Sequence, residues 1–233
     1  MSKKKESILI LMRHGQSIWN ERNLFTGWVD VPLSKKGIEE SLLGGEKIKD
    51  IPIDVVFTSA LIRGQMTAFL AMTSHSSGRT VVFQHPKEGK LEKWAKIYSK
   101  ETEKETIPLF ASWHLNERMY GQLQGLNKDE MRRKYGKEQV HMWRRSFDVA
   151  PPKGESLCMT AKRTIPYFRK KIAPLLQKGK NIFIAAHGNS LRSIIMDLEQ
   201  LSKEEVVHLE LATGNPLFYQ LSQGRWKKME QKN

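Results

Sequence analysis

The sequence predicts an α/β protein: a three-layer sandwich in which a mostly parallel mixed sheet carries helices on both faces. Three observations predict it. Residues 8–12 (ILILM) and 182–186 (IFIAA) are apolar without polar alternation, as strands covered on both faces are. Helical patterns separate the strand-like runs, the alternation expected of a layered α/β fold. The 233 residues contain no repeat and no low-complexity linker, so residues 1–233 read as a single domain around one core.

The elements follow in order. Strands are expected at residues 8–12, 55–58, 80–83, 182–186 and 217–221. Ser34 can cap a helix running to about Lys49, and residues 61–72 form a second. Asn127 with Glu130, and Ser202 with Glu205, have the spacing of a capping box. Residues 159–177 are amphipathic, and Pro166 and Pro174 imply a kink or break there. A last helix is expected at residues 190–198. One segment stands apart: residues 75–112 are polar and rich in Lys and Glu, and read as an insertion on the surface without chemistry of its own.

Composition excludes several classes. The chain is 39% apolar and 27% charged, and no apolar run approaches the length of a membrane span, so no membrane partner is expected. The N-terminal ILILM run is too short for a signal sequence and lacks a cleavage site, which points to a cytoplasmic chain starting near Met1. The single cysteine, Cys158, forbids an internal disulfide and reads as a small filler. The net charge of +14 fits a solvated basic surface or an anionic partner. Part of that charge lies at Lys3–Lys5 and in the Lys-rich tail after Gly224. No zinc-finger spacing or aromatic RNA-binding signature accompanies it, so a nucleic-acid partner is not expected.

The residues that carry chemistry cluster at strand ends. Arg13-His14-Gly15 follows the first strand, Ser59-Ala60-Leu61-Ile62-Arg63 follows the second, and His187-Gly188-Asn189-Ser190 follows the 182–186 strand and opens a helix. In an open α/β sheet, sites form at the carboxyl ends of strands. A lone histidine is more often a structural hydrogen-bonder. Two at equivalent strand ends, each followed by glycine and one preceded by arginine, suit phosphoryl transfer. That chemistry is mostly positioning plus charge stabilisation. Arginine forks match phosphate oxygens, and neutral imidazole is a competent nucleophile near pH 7. Nearby arginines depress a histidine's pKa, a following glycine allows close approach to phosphate, and helix-opening amides favour an anion. No Asp-x-Asp carboxylate cluster suggests a metal.

The blocks LMRHGQSIWNERNLFTGWVDVPLSKKG, LNERMYGQLQGLNK, WRRSFDVAPPKGES and AAHGNSLR resemble the phosphoglycerate mutase branch of the histidine phosphatase superfamily, in order from about Leu9 to Leu221. Arg-His-Gly marks only the superfamily; the NERNLFTGW, NERMYG and WRRSFD blocks are more restrictive. The resemblance implies interconversion of 2- and 3-phosphoglycerate by ping-pong transfer through a phosphohistidine at His14, with 2,3-bisphosphoglycerate as primer and intermediate and no metal. His187 would be the second imidazole, Arg13 and Arg63 would hold the transferring group, and Glu117 would donate and accept the proton. Ser17, Asn20, Gly188 and Asn189 would contact phosphate, Thr26 and Gly27 the carboxylate region, and Arg118, Tyr120, Lys128, Arg144 and Arg145 would form an outer cage. Trp19, Trp28 and Trp143 are expected to pack. The resemblance also implies a homo-oligomer and a C-terminal tail that closes over the site, unless this short tail simply frays. Two rival readings are a phosphatase of the same superfamily and a non-enzymatic basic nucleic-acid-binding protein.

Overall fold

The computed structural model describes residues 6–229. In chain order the elements are β1 (Ser7–Arg13), α1 (Ile18–Glu21), α2 (Lys35–Glu46), β2 (Val55–Thr58), α3 (Ile62–Met72), β3 (Thr80–Phe83), α4 (Lys90–Trp94), α5 (Lys100–Lys104) and β4 (Thr106–Ala111). They continue with α6 (Lys128–Tyr135), α7 (Lys137–Arg145), α8 (Leu157–Tyr167), α9 (Ala173–Gln177), β5 (Ile182–Ala186), α10 (Gly188–Glu199), α11 (Lys203–His208), β6 (Pro216–Ser222) and β7 (Arg225–Met229). The strands form one sheet in the order β3-β4-β2-β5-β1-β6-β7. The first five are mutually parallel; β6 runs antiparallel to β1, and β7 antiparallel to β6. This is the mixed, mostly parallel sheet that the apolar runs predict.

The pleat explains those runs. Leu9, Leu11, Ile182 and Ile184 point to one face, where they pack with Phe168, Ile172, Leu191 and Ile194 from the α8–α10 layer. Ile10, Met12, Phe183 and Ala185 point to the other, against Ala68, Ala71 and Met72 of α3. With both faces covered, alternation has no reason to exist. Capping residues start the helices as expected: Ser34 Oγ accepts the Gly37 N–H and Asn127 Oδ1 those of Asp129 and Glu130, but of the two capping-box spacings only Ser202 with Glu205 closes a reciprocal box. α8 runs through Pro166 to Tyr167; the break comes after it, where residues Phe168–Ile172 widen into a π turn, and Pro174 sits in the first turn of α9.

Two expectations are corrected. The 75–112 segment is not an insertion throughout, because it contributes β3 and β4 to the sheet, with Ile107 and Leu109 fully buried. Its centre, residues 84–105, is the crossover that parallel neighbours such as β3 and β4 require. β4 escapes sequence reading because Pro108 sits in it; pairing with β2 starts only at Leu109, so at Pro108 the strand has a neighbour on one side. Deleting residues 88–106 would therefore leave four linking residues where about a dozen are needed. Trimming the crossover to about twelve residues is expected to preserve cooperative melting, whereas the longer deletion loses it; thermal unfolding by circular dichroism compares the two. Second, the tail neither closes over a site nor frays over residues 225–229. It forms edge strand β7, paired with β6, with Trp226 near Phe168. The exposed Arg225, Lys227 and Lys228 protect that edge from further pairing. Lys3–Lys5 and residues 230–233 lie outside the described residues. No described helix is long and apolar enough to cross a membrane.

Candidate active site

The carboxyl ends of β1, β2 and β5 meet at one edge, and the chain delivers its histidines there. His14 continues the parallel ladder, its N–H donating to Ala186 O at 2.8 Å. His187 follows β5, and the two rings lie 4.9 Å apart between centroids. Both imidazoles are buried. His14 Nδ1 lies 2.7 Å from Gly15 O. A carbonyl can only accept, so Nδ1 carries the proton and Nε2 keeps its lone pair. Burial, then Arg63 and Arg13, hold the His14 pKa well below the usual imidazole value. Burial and Arg63 do the same for His187, whose Nε2 meets Ser59 Oγ at 2.7 Å.

The glycines after the two histidines differ in purpose. A Cβ on Gly15 would sit 2.1 Å from Gly37 O, so this glycine serves the close contact between the β1 end and α2 rather than a phosphate. A Cβ on Gly188 would meet only Arg192 Nη1 at 3.5 Å and Arg13 Nε and Glu117 Oε2 at 3.7 Å. It therefore stands at the centre of the charged cluster.

Arg63 is almost wholly buried and spends both terminal nitrogens on loop carbonyls, Gly27 at 2.7 Å and Val29 at 3.0 Å. Burial lowers its pKa to about 10. Glu117 accepts three N–H groups at Oε1: Arg118 N and Asn189 Nδ2 at 2.7 Å, and Asn189 N at 3.2 Å. The last is a first-turn amide of α10, so the helix end holds a carboxylate of this chain. Burial opposes ionisation of Glu117, but these bonds together with Arg13 and Arg118 outweigh it and lower its pKa. Oε2 is left for proton traffic. The Glu117 backbone is clamped as well, its carbonyl accepting from Trp28 Nε1 at 2.5 Å and Arg163 Nη2 at 2.9 Å. Arg163 is in turn paired bidentately with Glu155 at 3.0 and 2.9 Å.

These elements converge on a cavity at the sheet edge. Of the residues singled out in the sequence, Arg13, His14, Asn20, Thr26, Gly27, Arg63, Glu117, Tyr120, Lys128, Arg144, Arg145, Gly188 and Asn189 lie on its wall. Lys128, Arg144 and Arg145 come from α6 and α7, which roof the cavity over a small core of Phe25, Leu123, Met131, Val140 and Trp143. Burial and the charge of Arg144 lower Lys128 to about 8. Three of the expected residues do not reach the wall. His187 lies behind His14. Arg118, fully buried, donates to Tyr120 Oη and Arg144 O. Ser17 does not face a ligand at all: its hydroxyl caps α1, accepting from Asn20 N and donating to Asn20 Oδ1. The S-x-x-N spacing was the signal for that role. Arg192 and Glu210 also line the wall and were not singled out. Arg192 falls four residues after Gly188, one helical turn along the same face. Glu210 left no mark in the sequence.

The wall carries six cationic side chains (Arg13, Arg63, Lys128, Arg144, Arg145, Arg192) against Glu117 and Glu210, so it suits a polyanion. On the wall, Nε of Arg13 and Arg63 and Oγ1 of Thr26 are buried without a hydrogen-bond partner; behind it, so are Nε and Nη1 of Arg118 and Nδ1 of His187. Among the described residues no group of three or more His, Cys, Asp or Glu is placed to hold a metal ion.

A buried histidine pair at parallel strand ends, flanked by arginines, is the arrangement of the histidine phosphatase superfamily (branch 1), whose sequence profile matches residues 9–114 and 92–232. An α-ribazole phosphatase of Shigella flexneri shares the fold at TM-score 0.73 and 19% identity, over 97% of this chain and 96% of its own. A phosphoglycerate mutase of Bacillus anthracis does so at TM-score 0.70 and 20% identity, over 97% and 93%. Sequence narrows the class. The 2,3-bisphosphoglycerate-dependent phosphoglycerate mutase of Protochlamydia amoebophila is 64% identical over 95% of this chain and 98% of its own, and that of Chlamydia muridarum 57% over 95% and 97%. The chain belongs to the 2,3-bisphosphoglycerate-dependent phosphoglycerate mutase family of that superfamily.

Proposed function

We propose that the protein interconverts 3-phosphoglycerate and 2-phosphoglycerate, moving the phosphoryl group through His14. The observation that carries this reading is the pinned tautomer of His14 on the wall of a six-cation cavity with Glu117. Nε2 attacks phosphorus as the phosphate ester P–O bond breaks, and a P–N bond forms. Arg13 and Arg63 offset charge on the transferring oxygens. The Glu117 carboxylate first takes the proton of the substrate hydroxyl that attacks phosphohistidine, and Oε2 then returns it to the oxygen that departs when Nε2 attacks the other phosphate. Lys128, Arg144 and Arg145 orient the carboxylate and distal phosphate. 2,3-Bisphosphoglycerate, when bound, supplies the phosphoryl group that charges His14, and the unpartnered donors of Arg13 and Arg63 on the wall fit such a polyanion. A cytoplasmic homo-oligomer is the accompanying expectation.

The test is a coupled assay of 3-phosphoglycerate conversion by dephosphorylated enzyme, with and without 2,3-bisphosphoglycerate and with a chelator. Conversion that depends on primer and survives chelation supports the reading. A strict metal requirement, primer-independent turnover, or hydrolysis outpacing transfer overturns it.

The lowered His14 pKa sets the pH dependence. A free imidazole is about one quarter neutral at pH 6, whereas His14, depressed below its ordinary value, stays mostly neutral there. The rate of His14 phosphorylation, measured by rapid quench, is expected to change less than twofold between pH 7.5 and 6. Stability moves the other way. Both histidines fold with depressed pKa values, so their contribution is complete above about pH 6.5 and lost as pH falls below it. The loss, at most about 1.4 kcal/mol per pH unit for each, is read as a falling Tm between pH 7 and 5.

A further inference from the structure

Glu210 has the wrong sign for the ligand that its neighbours attract. It lies between α11 and β6, where the flanking carbonyls of Leu209 and Leu211 accept from Arg192 Nε at 2.7 Å and Arg13 Nη1 at 2.9 Å. The backbone on both sides is thus tied to cavity arginines. Its carboxylate spans two more contacts: Oε1 is 2.7 Å from Arg145 Nη2, and Oε2 is 3.6 Å from Arg192 Nη2. These arginines come from α7 and α10, and the carboxylate is what joins them at the cavity wall. A carboxylate shared by two guanidinium groups stands where a ligand's own anionic group would stand. The Glu210 side chain is 69% exposed while that of Arg192 is 10% exposed. The anion of the bridge can swing into water; the cation cannot leave.

We propose that Glu210 is a displaceable placeholder for the distal anionic group of the substrate, holding Arg145 and Arg192 in place until that group arrives. The proposal rests on the mutase reading. It makes Glu210 a positioning residue with two effects. It orders two long side chains in advance, which lowers the rotamer entropy lost on binding. It also competes with the distal group and so keeps that group exchangeable. A mutase needs this, because its substrate must present first one oxygen and then the other to His14.

The test compares wild type with Glu210→Gln and Glu210→Asp. Dissociation constants for 3-phosphoglycerate and inorganic phosphate are measured by calorimetry on dephosphorylated enzyme, together with KM, kcat and Tm. Glu210→Gln is expected to tighten 3-phosphoglycerate about two- to fivefold, as befits release of an exposed ion pair. KM and kcat should fall together while Tm stays put, and Glu210→Asp should remain near wild type. The difference should shrink at 0.5 M salt, where exposed pairs are screened. Unchanged or weaker binding by a stable Glu210→Gln protein overturns the proposal, as does a fall in kcat with KM unchanged. A wild-type protein that fails to bind 3-phosphoglycerate sinks the mutase reading instead, and the phosphate constants then still decide whether Glu210 competes with anions.

Discussion

Replacing His14 by alanine is expected to abolish labelling of the protein by radioactive 2,3-bisphosphoglycerate and to lower mutase turnover by at least about 10⁴-fold. The size of the effect follows from position. The imidazole is the group on the cavity wall whose nitrogen is both unprotonated and fixed in direction, because Nδ1 is committed to Gly15 O. A loss smaller than about 100-fold in a protein that still melts cooperatively would mean that the phosphoryl group travels by another route. His14→Gln, which keeps more of the buried volume, separates lost chemistry from a cavity created beside the sheet.

Glu117→Gln is the second large effect. The substitution keeps size and shape but removes the proton, so kcat should fall by about 10²- to 10⁴-fold with KM within a fewfold of wild type. The defect should depend on the leaving group. A phosphoryl donor whose leaving group needs no proton, such as p-nitrophenyl phosphate, should label His14 of the variant nearly as fast as wild type. If both donors are slowed alike, Glu117 acts through the geometry of Asn189 and α10, which its Oε1 holds, and not as the proton carrier.

How much of this was legible depends on what each residue does. β1 and β5 could be read because burial on both faces leaves an unbroken apolar run. β4 could not, since Pro108 argues against a strand unless the length of its neighbour is known. β7 reads as a charged tail because an edge strand is kept polar by design against pairing. His14, His187, Arg13 and Arg63 were found because strand ends converge, a consequence of topology that motif spacing carries. Arg163 and Glu155 were not found. Arg163, held by Glu155, acts on Glu117 through the carbonyl oxygens of Trp113, His114, Asn116 and Glu117, and a contact to backbone leaves no pattern in the sequence. Trp28 was read as packing, and its indole N–H turns out to position the same carbonyl.

The strand order has a consequence for synthesis. β1 lies between β5 and β6, so its ladder partners, residues 182–186 and 216–221, lie far along the chain. On the ribosome the SILILMR segment therefore lacks its ladder partners until residues 182–221 have emerged. Non-local pairing of this kind folds slowly and exposes the chain to aggregation. His14 cannot meet His187 in a shelter from water until β5 and the start of α10 have emerged. A nascent chain that ends before β5 and α10 lacks Gly188, Asn189 and Arg192 and cannot complete the cavity wall.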